Sequence, residues 1–211
     1  TNVWVSGLIV PHGTPGRELE AVRRGDLEPI VSWELARELA RVLCRYQLST
    51  KLQLVPIGEI QRQITLSVPG ALRVIIYRRL MLRVAERIAL RVDAHGLVTG
   101  DVVGQVASQT LENMAVTGAA VTMPVFRPLI GMDKDEITAQ AEALDTYSIS
   151  IVPDEDCCTL FTPRHPVTRA RRGEIEDAER GLPMAEFVET ALRQSVVERF
   201  AWPAIASTVS A

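Results

Sequence analysis

The chain has 211 residues, 47% of them hydrophobic and 23% charged, with 23 Lys and Arg against 26 Asp and Glu for a formal net charge of −3. That length and mixture describe one folded domain with a sizeable core, and they exclude a disordered chain, two full domains and a protein that is basic all over. No apolar run reaches the ~20 residues of a membrane helix, and the opening residues lack the basic start of a secretory signal, so a cytoplasmic protein off the membrane is expected.

Residues 2–6, NVWVS, read as a short buried strand that runs into a loop rich in glycine and proline at 6–16. Residues 17–24 are short and at best helical, Gly25 stops them, and 27–31 resume a strand pattern. In the helix expected at 34–46, Leu35, Leu39, Val42 and Leu43 share one face, with Cys44 buried beside them. Residues 51–56, KLQLVP, are a third strand, and GEIQRQI at 58–64 starts a helix.

The longest periodic segment spans 71–92. Leu72, Ile75, Ile76, Leu80, Val84 and Ile88 repeat at helical spacing and predict a core face, while Arg79, Arg83, Arg87 and Arg91 fall four apart along a second strip. A solvated face with Glu86 as partial counter-charge is one reading of that strip, and phosphate contact is the other.

Residues 95–100, HGLVTG, predict a strand ending in glycine, after which DVVGQVASQTLENM begins a helix around Gln105 and carries polar groups at the strand's carboxyl end, where ligands sit in open parallel sheets. A further strand is expected at 125–130. GMDKDEITAQAEAL at 131–144 then opens a helix with Asp133 as N-cap and Glu136 at capping-box spacing, and places Lys134 in a first turn where the helix dipole gains nothing from a cation. Helices at 173–179 and 184–200 and a tail at 201–211 complete the chain. The alternation of strands and helices predicts an α/β, doubly wound, mainly parallel sheet with helices on both faces, a Rossmann-like fold. One domain over 1–180 with a terminal helix and tail over 181–211 is the expected division.

Between those helices, ISIVPDEDCCTLFTPRHPVT at 149–168 has no period. Asp154, Glu155 and Asp156 precede Cys157 and Cys158, and Arg164 and His165 follow, so a thiol pair lies between acidic and basic neighbours. Composition leaves two readings open, a surface loop with a buried cysteine or a chemical site. Only three cysteines occur and none forms a CxxC pair, so free thiols are expected rather than a disulfide, a zinc site or a redox module.

LVTGDVVGQVASQTLENM at 97–114, RPLIGMDKDEI at 127–137 and EDCCTLFTPRHPVT at 155–168, in that order, resemble the tRNA 4-thiouridine synthetase family of thiamine-biosynthesis tRNA sulfurtransferases. The resemblance is to its PP-loop, adenine-nucleotide-hydrolase-like domain, and extends more weakly through VPIGEIQRQI and YRRLMLRVAERIA. It implies a reaction that uses ATP and Mg2+ to adenylate a uracil carbonyl oxygen in tRNA. Sulfur then arrives as a persulfide from a cysteine desulfurase, directly or through a rhodanese-like carrier, and in the same family it also serves thiamine thiazole formation. By the same resemblance the catalytic residues fall on Cys157 and Lys134, with Cys158, Asp133, Arg164 and His165 as accessory candidates. Ser6, Gly7, Gly100, Asp101, Gly104 and Gln105 become nucleotide-binding candidates, and Arg79, Arg83 and Arg87 RNA-contact candidates. A homodimer is compatible with it.

The sequence departs from the family at two of these places. Where the family has SGGxDS, with glycines that admit backbone amides to the pyrophosphate, this chain has Ser6, Gly7, Leu8, Ile9, Val10 and Pro11. Asp101 stands where TGE is usual. The enzymatic reading therefore has an alternative, a PP-loop pseudo-enzyme that keeps the sheet, the arginine strip and the thiol loop and acts as an RNA- or protein-binding partner.

Overall fold

A computed structural model describes residues 5–6, 29–31, 50–151 and 165–200. The expected helix at 34–46, Cys44, Gly7, Cys157, Cys158 and Arg164 lie outside the described residues. Strands β1 (Val5–Ser6), β2 (Pro29–Val31), β3 (Thr50–Leu54), β4 (Leu97–Val98), β5 (Val125–Phe126) and β6 (Val196–Phe200) form one sheet in the order β5-β4-β1-β2-β3-β6. The α/β class and the Rossmann-like arrangement hold. The pairing is mixed: β2 with β3 and β4 with β5 run parallel, whereas β1 with β2, β1 with β4 and β3 with β6 are antiparallel.

Helix α1 (Gly58–Ser67) buries Ile60 and Ile64, one turn apart, and its open carbonyl end is met by Arg73, whose guanidinium donates to Val68 O at 2.9 Å and Thr65 O at 2.9 Å. A single 3-10 turn, Gly70–Leu72, leads into α2 (Arg73–Arg91), the central helix of the fold. Leu72, Ile75, Ile76, Leu80, Val84 and Ile88, the six residues of the expected core face, are all buried. Their spacing keeps them on one stripe, and that stripe meets α3 (Leu111–Gly118), α7 (Met184–Gln194), β1 and β4. Asp93 ends α2 in the left-handed region at φ 56°, and Ala94 N then bonds Ala89 O at 2.9 Å, a Schellman-type stop. Helix α4 (Lys134–Ala143) stops the same way through Asp145 and a Thr146 N to Ala141 O bond, and is followed by the short α5 (Tyr147–Ser150).

Three expected elements differ. The strand at 125–130 is confined to Val125–Phe126, because the chain turns at Arg127 with Ile130 N bonded to Arg127 O. No helix begins at Gln105; residues Ala107–Gln109 make a 3-10 turn and α3 starts at Leu111, where the hydroxyl of Thr110 accepts from Asn113 N as an N-cap. After α6 (Arg172–Arg180), the last helix ends at Gln194 rather than at 200. Ser195 turns extended and Val196–Phe200 pairs with all of β3, because a β-branched Val196–Val197 start fits a pleated edge better than another helical turn. Glu198 and Arg199 place charge on that edge strand, which discourages further pairing. Phe187, Val188, Ala191 and Leu192 of α7 join the same core as α2, so the terminal helix packs as part of the domain. Among the described residues no helix is long and apolar enough to cross a membrane.

Candidate functional site at the carboxyl end of β4

Strand β4 is the hub of the site. Gly96, just before it, is packed so closely that a Cβ would come to 3.0 Å from the Phe126 ring and 3.3 Å from Pro124 O, which is the approach needed for β4 and β5 to pair in parallel. Thr99 N then donates to Phe126 O at 2.9 Å, and Ser6 of β1 lies in register with Val98. The expected nucleotide candidate Ser6 thus stands opposite Val98, two residues before Gly100, on a strand that runs antiparallel to β4.

Asp101 follows, 2% exposed, and its carboxylate is fully committed. Arg78 pairs with Oδ1, Gln109 Nε2 donates to Oδ1 at 3.2 Å, Thr99 Oγ1 donates to Oδ2 at 2.8 Å, and Arg127 Nε donates to Oδ2 at 3.2 Å. Burial pushes the Asp101 carboxyl up, but the Arg78 guanidinium, the Thr99 hydroxyl and Arg127 outweigh it, leaving the group below its ordinary value and ionised. The side chain expected to meet nucleotide is instead a buried clamp that joins α2, the 3-10 turn and the β5 exit. Among the described residues Arg78 keeps Nε and Nη1 buried without partners, and Gln109 keeps Oε1 so. The two orphaned Arg78 N–H groups fit an anion, whereas the Gln109 oxygen is an acceptor and calls for a donor.

Around this clamp the backbone is open. Gly104 sits at φ 77°, a left-handed conformation that glycine adopts at little cost, and Val103, Gly104, Gln105 and Val106 are exposed. Gly104 N bonds Gln109 O at 3.0 Å, closing the turn, and Val103 N bonds Ile130 O at 3.2 Å. The second bond ties the 101–106 turn to the loop that leads into α4. There Asp133 and Glu136 form the expected capping box, each accepting the other's backbone N–H at 2.8 Å. Lys134 is exposed at the first position of α4 and makes no side-chain hydrogen bond or ion pair among the described residues. His165 is also exposed.

The arginine strip is not one surface. Arg79 is 2% exposed and holds Glu179 of α6 with Nε at 2.8 Å and Nη2 at 3.0 Å, with Nη1 on Val116 O at 2.6 Å; this placement keeps it from RNA. Arg83 is partly covered and grips the same Glu179 carboxylate at 2.7 and 2.8 Å. Arg87 is half exposed and pairs with Glu189. Burial raises the Glu179 carboxyl, but hydrogen bonds from Arg83 and Arg79 draw it below its ordinary value. Nor is Glu86 the counter-charge of the strip, since its carboxylate accepts from Thr122 and Met123 N–H groups at 2.6 and 2.8 Å.

Residues 28–184 match the model of the thiamine biosynthesis protein (ThiI) family, and that range covers most of the chain. The chain belongs to this family. Curated relatives named probable tRNA sulfurtransferase include one from Thermus thermophilus, 52% identical over 172 residues, covering 82% of this chain and 42% of that protein. One from Treponema pallidum is 46% identical over 156 residues, covering 74% of this chain and 39% of the relative, and one from Acetivibrio thermocellus is 37% identical over 213 residues, covering 89% and 54%. The chain thus spans about half or less of the length of these relatives. A solved 4-thiouridine synthetase–RNA complex with bound ATP is similar at TM-score 0.72 and 35% identity over 81% of this chain and 47% of that one. The ThiI match begins at residue 28, so the departure at Ser6–Pro11 lies ahead of it. TGDVVGQ at 99–105 is bonded through Val103 N to the carbonyl of Ile130, the residue just before GMDK at 131–134.

Arg78, Arg127, Gln109 and Asn113 were not singled out from sequence. Arg78 lies one residue off the four-spaced strip, and Asn113 sits in the first turn of α3, where asparagine is ordinary in the sequence.

Proposed function

We propose that this domain catalyses ATP-dependent sulfur transfer to tRNA. The uracil O4 attacks the α-phosphate of ATP, pyrophosphate leaves, and the terminal sulfur of a persulfide on Cys157 attacks C4 as AMP departs; a second thiol then attacks the Cys157 Sγ, breaking the S–S bond, so that a disulfide forms at Cys157 and the sulfur stays on C4. One observation carries the reading: the exposed Val103–Val106 turn and the approach to Lys134 are joined by the Val103 N to Ile130 O bond, above a buried arginine with orphaned donors. That groups open backbone for a nucleotide with an exposed cation for its phosphates. Gly104 and Gln105 would meet the nucleotide, and the ammonium of Lys134, which has no partner among the described residues, would offset charge developing on the α-phosphate. Asp101 acts indirectly, by holding Arg78 and Arg127 in place. The persulfide would come from a cysteine desulfurase or a similar donor, and the thiamine thiazole pathway is the second acceptor route.

Mg2+ finds no cluster of three His, Cys, Asp or Glu among the described residues, and Asp101 is already shared between two arginines, so no step is routed through the metal. The test is to incubate the chain with ATP, tRNA and a persulfide donor and to follow AMP, pyrophosphate and 4-thiouridine. Release of AMP and pyrophosphate together with thiolation supports the reading and rules out the binding-only alternative. Cys157→Ser is expected to keep AMP release and abolish thiolation. Absence of ATP binding by calorimetry refutes the proposal.

A further inference from the structure

Asn113 is 0% exposed, and its amide joins two segments that are distant in sequence. Nδ2 donates to Ala107 O at 2.8 Å and to Val167 O at 2.7 Å, while Oδ1 accepts from Ala170 N at 2.8 Å. Both donors of the amide are therefore used, and its oxygen is engaged as well. Ala107 opens the 3-10 turn that closes the exposed 103–106 stretch. Val167 and Ala170 lie on the segment that leaves the Cys157–Cys158 pair toward α6.

Thr110 makes a second bridge between the same two segments. Its hydroxyl accepts from Asn113 N at 3.2 Å, capping α3, and donates to Thr168 O at 2.6 Å. Val167 N bonds Ala71 O at 3.0 Å, so this segment is also fixed to the 3-10 turn that leads into α2. Capping needs only an acceptor at position 110, and helix formation is not helped by asparagine at 113. The donors are what these two residues add. All of them point to carbonyls at one joint.

We propose that Asn113 and Thr110 are positioning residues that couple the nucleotide turn to the segment following the thiol pair, so that occupancy of the turn is felt at residues 167–170. The coupling rests on the sulfur-transfer reading for the chemistry at its two ends. Because the bridge consists of directional bonds anchored on the fully buried Asn113 side chain, a shift of the 3-10 turn displaces Val167 and Ala170 with it.

Thr110→Asp separates the two roles of the hydroxyl, since aspartate is a strong N-cap but has no proton to give Thr168 O at neutral pH. Thr110→Ser keeps both roles and serves as the rescue. Amide hydrogen exchange over residues 165–171, with and without ATP, is read beside ATP affinity by calorimetry and 4-thiouridine formation. In the wild type, ATP is expected to slow exchange over 165–171. In Thr110→Asp that response disappears, basal exchange there rises by up to about tenfold, and thiolation falls about tenfold or more while ATP affinity stays within about twofold. Thr110→Ser behaves as wild type. Asn113→Asp, which keeps the acceptor for Ala170 N and removes both donors, is the second variant and is expected to fail in the same pattern. An ATP response over 165–171 that survives in Thr110→Asp, or ATP affinity and thiolation that fall in parallel, overturns the coupling. A wild-type chain that binds no ATP refutes the function instead, so the two failures are told apart.

Discussion

Replacing Glu179 should be among the most damaging single changes to a charged residue in this fold. The carboxylate is 8% exposed and is held by two guanidinium groups, one of them the 2% exposed Arg79, whose other described contact is Val116 O. Glu179→Ala leaves Arg79 charged, buried and without its counter-ion. Breaking a buried pair from one side costs about 3 to 5 kcal/mol, against a total stability of about 5 to 15 kcal/mol for an ordinary domain. For a chain of this length each kcal/mol moves Tm by about 2 to 4 °C, so a fall of about 6 to 20 °C is expected. The internal control uses another arginine of α2: Arg87 and its partner Glu189 on α7 are each 50% exposed, and Glu189→Ala should cost no more than about 1 kcal/mol, or about 4 °C. Thermal and urea unfolding of the two variants beside wild type measure the difference. Equal losses from Glu179→Ala and Glu189→Ala would show that burial does not set the worth of these pairs and would refute the reasoning.

Acid should weaken the fold through the same buried carboxylates. Asp101 and Glu179 are both held below their ordinary values, so their contribution is complete above the unfolded carboxylate range, from about pH 5 upward, and is lost as pH falls below about 4 through their folded values. Urea midpoints measured from pH 7 down to 3 check this, and Glu179→Gln should flatten the slope. Asp133→Ala removes the side-chain half of the α4 capping box and is expected to cost about 1 kcal/mol by denaturant unfolding. Lys134→Ala, at an exposed position with no described partner, should leave stability within about 0.5 kcal/mol while removing ATP-dependent pyrophosphate release; a matched loss of Tm would assign Lys134 to folding instead.

How much of the molecule was legible in the chain depended on whether the deciding contact was local. The core stripe of α2, from Leu72 to Ile88, was readable because period and burial coincide over six residues of one helix. The α4 start was readable for the same reason, since the Asp133–Glu136 box lies within four residues. Val196–Phe200 was not, because α7 and β6 are contiguous and what ends the helix is an open edge on β3, some 140 residues earlier in the chain.

The same division runs through the site. By itself the sequence determined the α/β class, the family through its ordered motifs, and the set of candidate groups at TGDVVGQ, GMDK and the thiol loop. Only the tertiary structure decided which charges are available to a ligand. Arg79 and Arg87 are two turns apart on one strip, yet one is consumed by Glu179, 100 residues away, and the other is half in solvent. Asp101 looks like a ligand in the chain and is a clamp in the fold, because Arg78, 23 residues earlier, and Arg127, 26 residues later, reach it first. Periodicity reports which side a residue faces, but the partner that neutralises a charge is chosen by packing between segments that the sequence keeps far apart.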